Sequence, residues 1–252
     1  MPLLSTTGAA GARAFGLFGQ QSVAAFIMAS GGTVTDSGNY RYHTFTASDT
    51  FSVSSAPSSR TIDYLLVAGG GAAGMQSGGG GGGVVIRTGE VISTGSYSIV
   101  IGDGAGNFGT NPTGQDTTGF GRTALGGGSG GDSFTYVGKS GGSGGGGEFQ
   151  PGVGPGAGGA GLQPSSSSGG YGNSGGASSV GGGGGGAGGA ASGQTGGIGI
   201  SGSPLSTAIY ASGGNGYING VDAVANTGQG GGAGASNTAG ASGIVIVRYL
   251  YQ

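Results

Sequence analysis

Residues 61–83 read TIDYLLVAGGGAAGMQSGGGGGG, and the change of character inside that stretch decides the fold. Thr61–Ala68 carries apolar side chains at both alternating positions, the pattern of a strand covered on both faces and therefore central in its sheet. The chain then sheds its side chains: Gly69–Gly71, Ala72–Ala73, a polar turn at Met75–Ser77, and six consecutive glycines at Gly78–Gly83. A strand that runs directly into glycine must hand its backbone hydrogen bonds to something other than an ordinary sheet.

The rest of the chain repeats this alternation. Asn39–Val53 (NYRYHTFTASDTFSV) places aromatic and β-branched residues on both sides of Ala47–Asp49, as a hairpin would. Val84–Ile86, Val91–Ile92 and Ser96–Ile101 follow as strands, the last with Tyr97, Ile99 and Ile101 on one face. Gly243–Tyr251 (GIVIVRYLY) is another strong strand. If the strands of 39–101 and 243–251 share one sheet, the region of about 102–241 is an insertion between them.

That insertion is built from glycine runs at Gly126–Gly128, Gly141–Gly147, Gly181–Gly189 and Gly228–Gly234, joined by polar or aromatic pieces. We read the runs as rods and the pieces as turns. A polyproline II helix has three residues per turn and makes no internal hydrogen bonds, so all its N–H and C=O groups point outward. Without side chains such helices approach closely and bond to several neighbours at once. Ala and Ser are the interruptions small enough to tolerate, as at Ser129, Ser143, Ala187 and Ala233. The expected fold is thus all-β with an irregular glycine-rich region. A small β-sheet or sandwich base carries a bundle of polyglycine II helices, with no α-helix beyond a short N-terminal segment. Flexible glycine loops on a small β-sandwich are the alternative.

Composition narrows the classes. Glycine is 73 of 252 residues, yet no Gly-X-Y period is kept, which excludes collagen. Low-complexity disorder usually pairs low hydrophobicity with high net charge. Here the net charge is −2 and mean hydropathy is near zero, so order is the better expectation. No basic excess suggests nucleic acid, and no apolar run reaches the length of a membrane span. Cysteine is absent, so disulfides are not the staple. Residues 1–32 read as a separate module, with Phe15, Leu17, Phe18, Phe26 and Ile27 as an apolar cluster. That cluster would attach to a partner or fold back onto the body, and Ser22–Ser30 only faintly resembles a secretory core. The glycine-rich domain is then 33–252.

Enzymatic chemistry finds little support. Gly69-x-Gly71-x-x-Gly74 satisfies the dinucleotide fingerprint, but Met75-Gln76-Ser77 and six glycines cannot form the helix it requires. Gly138-Lys139-Ser140 resembles a P-loop without its leading glycine or helix. Asp103, Asn107 and Asp116 could wrap a calcium ion, although such residues more often bond their own backbone. His43 is the single histidine, and its neighbours suggest a strand position. No triad, zinc site or cofactor is expected. The aromatics of the polar pieces, Phe149, Tyr171, Tyr210 and Tyr217, either grip a ligand or plug rod ends.

Several segments resemble the glycine-rich domain of bacteriophage tail-fibre, adhesin and related virion proteins. They are YRYHTFT at Tyr40–Thr46, TIDYLLVAGGGAAG at Thr61–Gly74, SYSIVIGDGAGN at Ser96–Asn107, GGGGGGAGG at Gly181–Gly189 and SGIVIVRY at Ser242–Tyr249. The resemblance covers about Thr33 to the end and not the first module. It implies bundled polyglycine II helices whose connecting loops contact a host. The expected role is therefore a tail-fibre or tail-tip receptor-binding component in an extracellular phage particle. Expected partners are other virion proteins, a second copy of the chain, and a host-surface glycan or outer-membrane protein. A capsid decoration or baseplate part with no receptor role is the alternative. Ala72 and Ala73 interrupt a run that is often all glycine in the family, which implies a shorter first rod.

Overall fold

The computed structural model describes residues 26–106, 113–217, 220, 222–234 and 238–252. Its base is a two-sheet sandwich. Strands β1 (Met28–Ser30), β2 (Thr33–Ser37), β3 (Tyr40–Phe45), β4 (Asp49–Ser55), β5 (Thr61–Val67), β6 (Val84–Val91) and β7 (Gly95–Ile99) come first. Short strands follow: β8 (Thr117–Gly119), β9 (Arg122–Ala124), β10 (Phe149–Gln150), β11 (Gly154–Pro155), β12 (Ile200–Ser201) and β13 (Ile209–Tyr210). β14 (Ile244–Leu250) closes the chain. One sheet has the order β2-β3-β14-β5-β6 and the other β1-β4-β7, with antiparallel pairing throughout. Among the described residues the only helical element is a single 3-10 turn at Gln163–Ser165.

β5 lies inside its sheet, as its two-sided apolar pattern predicts, and β14 is the middle strand beside it. One face of the larger sheet sends Phe45, Ile62, Tyr64, Leu66, Val245 and Val247 against Phe51, Val53 and Ile99 of the smaller. The other face sends Leu65, Val67, Val84, Ile244 and Ile246 against Ala187, Leu205, Tyr210 and Ala211 of the glycine-rich region. Burying a Val, Leu or Ile side chain fully contributes about 1.5–3 kcal/mol. These two layers therefore fix both the sandwich and the seat of the bundle.

The hairpin expected across Asn39–Val53 does not form. β3 pairs with β2 and β14, whereas β4 pairs with β1 and β7, so the chain crosses between sheets at Thr46–Ser48. Both strands keep one apolar face, and that pattern fits a sandwich corner as well as a hairpin. Of the two readings of residues 1–32, the described part follows the one that folds back onto the body. β1 belongs to the smaller sheet and Ile27 lies in the main core, so the described part of the first module, from Phe26 onward, is part of the body. Nor is 102–241 purely rods, since the β8–β9 hairpin delivers Ala124 to the core and Thr118 bridges to Val100.

The glycine runs are rods held by main-chain bonds to one another. Gly78–Gly83 is at the centre. Its N–H groups donate in turn to the carbonyls of Gly182, Gly231, Gly128, Gly185, Gly228 and Leu125 at 2.7–2.9 Å. Every third residue therefore returns to the same neighbour, the threefold signature of the polyproline II geometry. Its carbonyls accept from Gly146, Gly214, Gly71, Ser143 and Ala68, which brings further rods around it. The approach is possible only without side chains. A Cβ on Gly81 would stand 2.2 Å from the carbonyl oxygen of Ala211, and one on Gly80 2.3 Å from that of Ser143.

Ala72 and Ala73 do not shorten the first rod. Gly130 donates to the Ala72 carbonyl and Ala73 donates to Thr238, so the rod runs on to Gly74. Both alanines are fully buried, occupying places between rods where one methyl group fits.

Candidate functional site

The rods leave the sandwich at Val67, return to it at Val84 and Ile244, and end at their far side in a set of turns. Those turns are bonded together. Gln76 donates its N–H to Glu148 Oε2 at 2.9 Å. The Ser77 hydroxyl lies 3.2 Å from the same oxygen and 3.0 Å from the Gly131 carbonyl. Glu148 donates its own N–H to the Tyr136 carbonyl and accepts from Gly156, while Tyr217 donates to the Gln76 carbonyl. Asp132 Oδ1 accepts from the N–H groups of Phe134 and Thr135, which shapes the turn that carries them.

Glu148 is the buried centre of this tip. Its side chain is nearly inaccessible, and burial pushes its carboxyl pKa above the usual range against the opposing pull of Gln76 and Ser77. Around it the turns expose large apolar side chains among small polar ones. Phe134 is 90% exposed and Val153 77%, with Met75, Val137, Val180 and Tyr217 more than a third exposed on neighbouring turns. Single exposed apolar residues need no explanation, but several on adjacent turns at one end of a rigid body make a surface suited to contact. The aliphatic members and Phe134 are absent from the sequence-based candidates. The signal that finds them is an isolated large apolar residue inside a turn between glycine runs.

The four aromatic candidates are not brought together. Phe149 is half-buried in the β10–β11 hairpin at the tip, and Tyr217 is there too, 56% exposed. Tyr171 is 44% exposed but lies at the base end, bridged to Val84. Tyr210 is only 5% exposed, packed beneath the larger sheet with its hydroxyl 3.0 Å from Ser206 Oγ. Of the proposed attachment residues, Phe15, Leu17 and Phe18 lie outside the described residues. Phe26 is half-buried beneath the Arg60 guanidinium, 4.8 Å from its ring centre, and Ile27 is enclosed in the chain's own core.

Asp116 Oδ1 accepts the Gly126 N–H at 2.7 Å, which is the backbone-bonding alternative to an ion ligand, and Asn107 lies outside the described residues. Among the described residues no group of three or more His, Cys, Asp or Glu is placed to hold a metal ion. His43 is fully buried in the sandwich, with Nδ1 2.7 Å from the Gly31 carbonyl and Nε2 3.0 Å from the Tyr249 hydroxyl. Burial pushes its pKa down.

No curated protein matches the chain. The family described as a glycine-rich domain matches residues 44–250, which takes in the larger part of the sandwich and all the described rods. The chain belongs to the glycine-rich domain family.

Proposed function

We propose that this chain is a structural protein of a phage particle, acting at a tail fibre or tail tip as a host-recognition component. The observation that carries the reading is the set of large apolar side chains exposed at the tip. Rods with no side chains to vary hold a fixed platform, and the residues free to vary and to touch a partner are those of the turns. Phe134, Val153, Met75 and Tyr217 stand out from that platform into solvent. The phage setting rests on the resemblance of Tyr40–Thr46, Thr61–Gly74 and Ser242–Tyr249 to tail-fibre and adhesin domains.

The test is binding of fluorescently labelled protein to a panel of bacteria. Labelling of particular strains is expected, and Phe134→Asp together with Val153→Asp should abolish it while thermal unfolding stays unchanged. No labelling of any strain, combined with stoichiometric placement on a phage head, would favour a capsid decoration part instead.

A further inference from the structure

The sandwich holds a pocket that neither the rods nor the tip uses. Ile62, Tyr64, Glu90, Ile92, Tyr97 and Phe120 bound a cavity of about 190 Å³, and Val91, 75% exposed, extends its wall into solvent. β5 enters the rods at Val67 and β6 leaves them at Val84, so Ile62 and Glu90 lie at the opposite ends of those strands, away from the tip.

Three aromatic rings make one side. Tyr64 stacks on Phe120 with ring centres 4.7 Å apart, and Tyr97 leans on Phe120 at 5.6 Å. The Tyr97 ring is fixed in place, because its hydroxyl donates to the Ser93 carbonyl at 2.9 Å and accepts the Ser93 N–H at 3.2 Å. Phe120 is held at φ 54°, in the left-handed region that a bulky residue seldom adopts, at the turn of the β8–β9 hairpin. Such a conformation persists only where the surroundings over-determine it.

A carboxylate is delivered to the same place by a bulge. Tyr64 pairs with Arg87 and Ile62 with Glu90, so Thr88 and Gly89 together stand opposite Asp63. Gly89 supplies the left-handed residue, φ 70°, and donates its N–H to Asp63 Oδ1 at 2.9 Å. Without the extra residue Gly89 would face Ile62; with it Glu90 does, and shares that face.

We infer that this pocket is a saccharide subsite sized for one pyranose ring. A sugar has an apolar C–H face and a rim of hydroxyls. A fixed, half-exposed tyrosine ring beside aliphatic walls accepts the face, and a carboxylate accepts the hydroxyls. The volume is below the roughly 300–1,000 Å³ of sites for drug-sized ligands, consistent with a single ring. A quaternary ammonium ion is the competing ligand, because aromatic rings beside a carboxylate attract it as well, and the experiment separates the two. The inference is independent of the role of the tip.

The experiment is saturation-transfer NMR on the whole chain with methyl glycosides of glucose, galactose, mannose and N-acetylglucosamine, with tetramethylammonium as the competing probe. At least one glycoside is expected to bind saturably and to shift the ring resonances of Tyr97. Tyr97→Ala and, separately, Glu90→Gln should each weaken binding by about tenfold or more. Glu90 is half-exposed, so its variant keeps the fold even if the tyrosine variant does not. Phe134→Asp at the tip should leave glycoside binding unchanged. Binding by none of the glycosides, equal binding by the Glu90→Gln protein, or preference for tetramethylammonium would overturn the inference.

Discussion

His43 accepts a hydrogen bond at Nε2 from the hydroxyl of Tyr249, 3.0 Å away, and so joins the third strand of the sandwich to its last. The direction is fixed by the other nitrogen. The Gly31 carbonyl can only accept, so Nδ1 carries the proton and Nε2 is bare. The Gly31 bond thereby pins the turn between β1 and β2 to the core. Protonating His43 would place a hydrogen on Nε2 and remove the acceptor that the Tyr249 hydroxyl hydrogen uses. Its folded pKa is lowered by burial, so the unfolded chain takes up the proton first as pH falls. Stability is therefore present above the ordinary histidine value of about 6.5 and is lost as pH drops below it. Urea unfolding between pH 8 and pH 5 should show this decline. Tyr249→Phe, which leaves Nε2 without a donor, should destabilise by about 1–3 kcal/mol at pH 8.

Glu148 predicts the opposite slope. Burial raises its folded pKa, so the folded protein keeps the proton at pH values where the unfolded chain has lost it. Its contribution is most favourable below the ordinary carboxyl value of about 4.3 and declines as pH rises through the folded value. Glu148→Gln keeps an oxygen acceptor for Gln76 and Ser77 without the charge. The variant should be at least as stable as the parent at pH 7, and hydrogen exchange of the Gln76 and Ser77 amides should no longer accelerate as pH rises, once the intrinsic rate is divided out.

The rods predict sharp intolerance of a single methyl group. Gly81→Ala sets a Cβ 2.2 Å from the main-chain oxygen of Ala211, which is already held by the Ala187 N–H, and should destabilise by about 3 kcal/mol or more. Gly106→Ala is the control, because a Cβ there meets nothing within 4 Å. Chemical denaturation of the two variants should separate them clearly.

Two serines predict the reverse effect. The hydroxyls of Ser129 and Ser143 are buried with no hydrogen-bond partner among the described residues. Their Cβ positions already fit the bundle, so Ser129→Ala and Ser143→Ala remove only a desolvated polar group. Each should stabilise by about 1 kcal/mol, read as a shift of the urea midpoint with unchanged slope.

Much of this was legible in the sequence because glycine and branched side chains leave unambiguous marks. Thr61–Ala68 and Ile244–Leu250 have too many apolar positions for a surface strand, and they are the two strands covered on both faces. The glycine runs announce close backbone approach. Three things were hidden. The partner of β3 could not be read, since Tyr40–Phe45 and Asp49–Ser55 alternate equally well for a hairpin or a corner. The ends of the rods could not be sorted, so Tyr171 and Tyr210, at the base, were grouped with Phe149 and Tyr217, at the tip. The pocket at Tyr97 escaped because it depends on a one-residue bulge at Gly89, which re-aims Glu90 without disturbing the strand's composition.

The central run Gly78–Gly83 finds its partners almost nowhere near itself in the chain: Gly79 waits for Gly231, Gly78 for Gly182, Gly80 for Gly128. Contacts so distant in sequence demand loop closure before they give anything back, which makes for slow assembly. No rod is stable alone, because a polyproline II helix makes no hydrogen bonds within itself. Folding must therefore come late and all at once, and losing any one rod, by nicking or truncation, should unravel the whole lattice rather than trim it.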